Sequence, residues 1–357
     1  MKVGIYTPYP DTMGGGERYT LTFAEYCLQR GWQVELFWHD PNTITQASQQ
    51  FNLNLEHLKL NPKMYKRFSK PSHFDKILKR LILPSYDLIF FLSDGSVPFL
   101  YAKRNWIHFQ VPFQLNGNTF ITQQKLSHIN RVICNSKFTK KFIDKSFNIT
   151  SDVVYPPVSV DDFHAPEVHN ENIILSVGRF DQIMNSKRQD VLIDSFKQLV
   201  DNGLTDWWLI LVGGHQHNEA ELLKLRELSM GYPIDFHVNV PYEELLSWYH
   251  RATFFWHAAG YEVDEQSQPD KVEHFGISVV EAMAAGCIPL IHKSGGLKEI
   301  IRDKKSGYFW ENKQQLIEQT QSMIKNLSKE QHTVEAAKKR AQKFSKEAFF
   351  VALDSML

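Results

Sequence analysis

At 357 residues the chain is longer than one hydrophobic core usually supports, so two domains of roughly 150 to 200 residues are expected. Hydrophobic content of 43% with 22% charged residues is that of a soluble globular protein, and no apolar run approaches the ~20 residues that span a bilayer, which argues against an integral membrane protein. Net charge is zero, but residues 1–165 carry 19 Lys and Arg against 13 Asp and Glu while the remainder carries 21 against 27; a basic first half either meets something anionic or attracts the acidic second half.

In chain order, Met1 leads directly into a strand-like run, Val3–Tyr6, with no apolar leader and cleavage site, so a cytoplasmic protein is expected. Further β-branched or aromatic runs follow at Val34–Trp38, Asp87–Leu92, Trp106–Phe109 and Arg131–Cys134, with helical stretches between them. The pattern pauses at Pro156-Pro157 and a polar stretch over 161–172, then resumes at Ile173–Val177, Trp207–Val212, Ile234–Val238, Thr253–Trp256 and Ile288–Ile291. This alternation predicts an α/β protein of two doubly wound domains facing across a cleft, residues 1–165 and 166–340. Residues 341–357 carry Phe349, Phe350 and Leu353 at helical spacing and predict a docking helix rather than a free tail. Cys27, Cys134 and Cys287 are far apart in apolar surroundings, which fits buried thiols in a reducing compartment and neither a disulfide framework nor a zinc site.

Ligands of open parallel sheets sit beyond the carboxyl ends of the strands, so the loops there hold the candidates. Gly14-Gly15-Gly16, between the first strand and a helix, lets the backbone turn with positive φ and present bare N–H groups to an anion; it equally fits a plain strand-to-helix turn. Arg179 leaves the end of the second domain's first strand in Val177–Asp181, and Lys187 opens the next helix in Asn185–Gln189. Together they form a diphosphate clamp built without metal, with either Lys187 or Arg188 left facing solvent. In Glu273–Gly286 two carboxylates flank an apolar run. With a helix starting near Ser278, Glu281 is the far end of a Ser-x-x-Glu capping box, while Glu273 precedes the helix beside the N–H groups of Phe275, Gly276 and Ile277. Pro62–Lys70 and Phe74–Leu83 hold seven basic residues against Asp75 among aromatics and aliphatics. Residues 62–84 therefore fit peripheral contact with an anionic membrane, or an amphipathic helix with its apolar face on the core and its basic face in water.

The stretch Glu273-His-Phe-Gly-Ile-Ser-Val-Val-Glu281-Ala-Met-Ala-Ala-Gly resembles the paired-glutamate signature of the retaining GT-B glycosyltransferases of family 4, also called glycosyl transferases group 1. Gly178-Arg179, Lys187, the Gly14–Gly16 loop and Gly295–Glu299 fall in that family's order, so the resemblance covers nearly the whole chain, most clearly its second domain. It implies that the two domains are Rossmann-like, residues 1–165 on the acceptor side and 166–340 binding the nucleotide, and that the helix of 341–357 packs back on the first domain. It implies that Glu281 accepts from the donor's ribose hydroxyls and that Glu273 lies beside the transferred sugar. It implies that Arg179 and Lys187 hold the diphosphate, with the N–H groups of Gly15 and Gly16 helping from the opposite wall. His108, in His-Phe-Gln-Val-Pro112, is similar to the family's histidine near the sugar; a lone histidine is otherwise commonly structural. The chain departs from the pattern over 259–272, a lengthened loop whose charged residues fit a sugar pocket or a solvated lid.

The implied activity is transfer of a hexose from GDP-mannose or a UDP-hexose, as co-substrate, to a glycan or lipid-linked acceptor, with retention of configuration. Phosphate charge that develops on leaving needs cations, which Arg179, Lys187 and helix N-termini supply. Without an Asp-x-Asp motif at a strand end, neither a metal nor another cofactor is expected, and no nucleic-acid partner. A nucleotide-sugar isomerase of the 2-epimerase kind and a non-catalytic nucleotide-sugar binder are the alternatives on the same plan. The site is expected in the cytoplasm, peripheral at the inner membrane face if residues 62–84 touch lipid.

Overall fold

Strands buried on both faces read as unbroken apolar runs, and Leu88–Ser93, buried at all six positions, is such a run. In the computed structural model, which describes residues 1–115, 117–163, 171–180, 186–215 and 219–357, these runs assemble two sheets in which every strand pair is parallel. Asp181 and Asn185 of the clamp stretches, and most of the polar stretch, lie outside the described residues.

The first sheet contains β1 (Lys2–Tyr6), β2 (Gln33–Phe37), β3 (Lys59–Leu60), β4 (Leu88–Ser93), β5 (Arg104–Phe109), β6 (Arg131–Cys134) and β7 (Asp152–Val153), in the order β3-β2-β1-β4-β5-β6-β7. Its helices are α1 (Gly15–Gln29), α2 (Pro41–Phe51), α3 (Pro62–Ser69), α4 (His73–Ile82), α5 (Phe120–Leu126) and α6 (Lys137–Phe147). One core cluster gathers Val3, Phe23, Leu36, Phe90 and Trp106, another Phe37, Ile89, Phe109 and Phe147, so neighbouring residues of one strand feed different clusters.

The second sheet contains β8 (Glu171–Val177), β9 (Trp208–Gly213), β10 (Ile234–Val238), β11 (Ala252–His257), β12 (Ile288–His292) and β13 (Tyr308–Trp310), in the order β10-β9-β8-β11-β12-β13. Its helices are α7 (Gln189–Asp201), α8 (Glu219–Ser229), α9 (Tyr242–Arg251), α10 (Ile277–Ala285), α11 (Lys313–Lys325) and α12 (Gln331–Ala341). The last helix, α13 (Lys346–Asp354), belongs to the first unit, where Phe349 and Leu353 join the core and the Tyr26 hydroxyl donates to Asp354 at 2.7 Å.

The chain thus divides into Met1–Pro157 with Lys346–Leu357, and Val158–Ser345. The divide falls at Pro157 rather than 165, because Val158 N–H donates to Phe344 and Val158 bridges Ser345, which ties this residue to the end of the second unit. For the same reason the return to the first unit begins at Lys346 rather than 341. All three cysteines are buried free thiols. Among the described residues no helix is long and apolar enough to cross a membrane.

Helix α4 bears on the two readings open for residues 62–84. Its apolar residues divide: Ile82 packs against the core, while Phe74, Ile77 and Leu81 face outward, 66%, 60% and 71% exposed. Lys79 is turned inward instead, its ammonium 4.7 Å from the centre of the Phe68 ring, and burial lowers its pKa.

Candidate active site

In the second sheet the strand order reverses between β8 and β11, which are neighbours although three strands apart in sequence. Helices leaving such a switch point pass to opposite faces and open a crevice at the carboxyl ends of the two strands. The chain leaves β8 through Gly178 and Arg179 and leaves β11 at His257.

Three side chains converge there. Lys187 Nζ lies 2.5 Å from Glu273 Oε2, and His257 Nε2 lies 3.4 Å from the same oxygen. All three are largely buried. Burial alone would raise the Glu273 carboxyl, but the Lys187 charge and the His257 ring more than reverse this and hold it well below the ordinary range. Burial lowers the His257 pKa against the pull of Glu273, so the ring is neutral at pH 7. The Ala259 N–H approaches Nδ1 at 3.4 Å, which puts the ring proton on Nε2, aimed at the carboxylate but too distant for a full hydrogen bond. His257 was missed in the sequence; its position as the last residue of a strand at the switch point is the signal that could have found it.

Glycines allow this approach. A side chain on Gly178 would begin 2.8 Å from Lys187 Cγ, so the lysine stem lies across bare backbone beside Arg179. Gly213 on the adjoining strand has Gly178 O at 2.0 Å from where its Cβ would stand. On the other side the Gly296 N–H donates to Glu273 O at 2.8 Å, and Cβ atoms on Gly295 and Gly296 would collide with Glu273 O and His274 O at 2.2 and 2.0 Å. The unusual loop of 259–272 braces this turn: Glu265 accepts from Gly295 N–H at 2.9 Å and pairs with Lys298 at 2.6 Å. Arg188 reaches the same loop, donating to Tyr261 O at 2.7 Å and pairing with Asp190 and Glu262. Neither Lys187 nor Arg188 is therefore the idle, solvent-facing one that adjacency suggested.

Arg179 is exposed, and its side chain has no ion pair among the described residues; its carbonyl accepts from Gln189 at 2.9 Å. Glu281 is not a capping partner. α10 begins at Ile277 with Gly276 as N-cap at φ 112°, a conformation open to glycine, so Ser278 lies inside the helix and makes no cap. Glu281 is buried one turn further on and accepts from the buried Tyr249 hydroxyl at 2.9 Å. Phe275 is buried edge-on against Phe344, which leaves the first-turn N–H groups around Gly276 and Ile277 as the polar content of this helix start.

In the first unit, α1 starts at Gly15 with Gly14 as N-cap. The positive φ belongs to Met13, at 49°, and to none of the three glycines. Gly16 lies against the end of the Gln110 side chain, whose Nε2 would stand 2.5 Å from an added Cβ and would have to swing aside for one. Glu17 accepts from Gly14 N–H at 2.8 Å, so a carboxyl already sits at the helix N-terminus that offers Gly15 and Gly16. His108 is wholly buried, stacked on Tyr19 at 3.8 Å between ring centres. Burial lowers its pKa to about 3, with only the Ile133 backbone pulling the other way, and the ring does not reach the surface. Among the described residues no group of three or more His, Cys, Asp or Glu side chains is placed to hold a metal ion.

With this geometry in place, comparison with known proteins is decisive for the family. The model for glycosyl transferases group 1 matches residues 159–340, and that for glycosyltransferase family 4 matches 13–162. The chain belongs to the group 1 glycosyl transferases. Among curated relatives, a GDP-Man:Man(3)GlcNAc(2)-PP-Dol alpha-1,2-mannosyltransferase of Xenopus laevis is 37% identical over 158 residues, 42% of this chain and 30% of the relative, so the match spans under a third of that protein's length. Among solved structures, a glycosyltransferase from Rickettsia africae aligns with a TM-score of 0.76 at 16% identity, covering 99% of this chain and 97% of its own. HepE of Anabaena in complex with UDP and glucose aligns at 0.72 and 17%, covering 99% and 98%. At that identity the likeness concerns the fold, which is GT-B: two parallel-sheet, Rossmann-like domains.

Proposed function

We propose that this group 1 glycosyl transferase moves a hexose from a nucleoside diphosphate sugar to a hydroxyl of a glycan or lipid-linked acceptor, with retention and without a divalent cation. The observation that carries the reading is the Lys187–Glu273 pair at the switch point of the second sheet, beside exposed Arg179. Departure of a nucleoside diphosphate places growing negative charge on phosphate oxygens. Cations preorganised at a strand end stabilise that charge in the transition state more than in the ground state. Arg179 offers a planar fork of donors, Lys187 a point charge already positioned, and the first-turn N–H groups at Gly276 and Ile277 a helix N-terminus.

Glu273 holds Lys187 in place before donor binds and stays ionised while doing so, so its carboxylate faces the positive charge that develops at the anomeric carbon. His257, as buried as His108 but with its Nε2 directed at Glu273 at the switch point, serves to orient that carboxylate. Glu281, fixed by Tyr249, is the rigid acceptor for ribose hydroxyls. Retention follows by front-face attack, with the departing phosphate taking the acceptor's proton. The name of the frog relative supplies the first donor to try, GDP-mannose, with UDP-hexoses next.

The test is incubation with a panel of nucleotide sugars in the presence of a chelator. Slow release of nucleoside diphosphate from one donor, quickened by an acceptor, is expected. A new nucleotide sugar would identify an isomerase, and binding without turnover a non-catalytic binder.

A further inference from the structure

Three large apolar side chains on one stripe of α4 face water, at spacing i, i+3 and i+7: Phe74, Ile77 and Leu81. Exposed apolar residues scattered singly are ordinary, but a contiguous stripe marks an interaction surface. The helix is firmly built, with Ser72 and Asp75 forming a capping box and Arg67 of α3 pairing with Asp75 at 3.5 Å, so the stripe is presented by a formed element. Exposed Lys76 and Arg80 lie next to it on the same helix, exposed Lys66 on α3 and exposed Lys70 at its C-cap. A second exposed pair, Phe120 and Ile121 at 78% and 59%, opens α5, whose Lys125 is close enough to Lys79 for the two charges to interact.

We infer that α4 docks the first unit on an anionic lipid surface. Phe74, Ile77 and Leu81 enter the boundary between headgroups and acyl chains, and the flanking cations meet the headgroup phosphates. The charge pattern selects this occupant over a second copy of the chain, since self-association on this face would bring Lys66, Lys70, Lys76 and Arg80 against their like. The inference goes beyond the sugar-transfer reading and does not rest on it.

The test is sedimentation of the full chain with vesicles of phosphatidylcholine alone or mixed with phosphatidylglycerol, for the native protein and for the combined variant Phe74→Ser, Ile77→Ser, Leu81→Ser. The native protein should bind the anionic vesicles at least about tenfold better than the neutral ones, and more weakly at high salt. The variant, which alters exposed positions only, should keep the native melting temperature and lose at least about tenfold in partition. Equal binding to both vesicles, no binding, or undiminished binding by the variant would overturn the inference. So would a concentration-dependent dimer abolished by the variant without vesicle binding, which would assign the stripe to a second copy.

Discussion

Lys187 and Glu273, 86 positions apart in sequence, form a 2.5 Å ion pair at the crevice where β8 and β11 diverge. Under the proposed function, this pair couples the two halves of the site, since the cation assigned to the donor's diphosphate is held by the carboxylate assigned to its sugar. Neither group is idle before the donor arrives, and neither is charged without a partner.

Breaking such a pair from one side leaves a buried charge alone, which costs more than losing both. Lys187→Met is expected to cost about 2 kcal/mol of stability, a figure below that of fully buried pairs because both side chains keep some exposure. Adding Glu273→Gln should restore most of it. Urea unfolding of the two single variants and the double variant measures the coupling; additive losses would show that the pair does not act as one unit.

The depressed pKa of Glu273 fixes the sign of one pH dependence. The group contributes stability above its ordinary value near 4.5, and that contribution is lost as pH falls from there through its lower folded value. Glu273→Gln has no such contribution to lose. The stability difference between native protein and variant should therefore shrink as the solution is acidified below about pH 4.5 and stay flat near neutrality. Melting temperatures across that range test it, and a constant difference would contradict it.

His108 gives a second limb at higher pH. It is buried neutral with a pKa of about 3 against an ordinary 6.5, so between these values the unfolded chain binds a proton that the folded chain refuses. Stability should fall as pH drops below 6.5, by up to ~1.4 kcal/mol per pH unit for this group. His108→Phe preserves a ring against Tyr19 and should flatten part of that slope while retaining donor turnover. A large loss of turnover in a well-folded variant would restore His108 to the chemistry.

Gly296→Ala touches no group assigned a chemical role, yet its Cβ would stand 2.0 Å from His274 O and 2.9 Å from Phe275 Cα. The backbone carrying Glu273 has to move. Turnover is expected to fall at least about tenfold, with a lowered melting temperature. Unchanged turnover would mean that this turn does not set the position of Glu273.

The long strands were legible because each is an apolar run bounded by turn residues; β3, β7 and β13, of two or three residues, carry too little pattern to register. As candidates, Glu273, Glu281, Arg179 and Lys187 were legible through a motif and its order. That Lys187 pairs with Glu273 was not, since pairing across 86 positions depends on how β8 and β11 adjoin. Ser278 and Glu281 spelled a capping box, but Gly276, at φ 112°, starts the helix earlier than a side-chain cap would. For α4 the sequence left two readings open: half its residues are apolar, which does not say which part of so broad a face the core receives.

The most direct measurement is donor turnover by Arg179→Ala. The side chain is exposed and makes no ion pair among the described residues, so the variant should fold as the native protein does. Loss of one charge-assisted contact to the departing diphosphate predicts a rate about 10- to 100-fold lower with GDP-mannose or whichever donor the panel identifies. Near-native turnover in a variant with native melting behaviour would contradict the account.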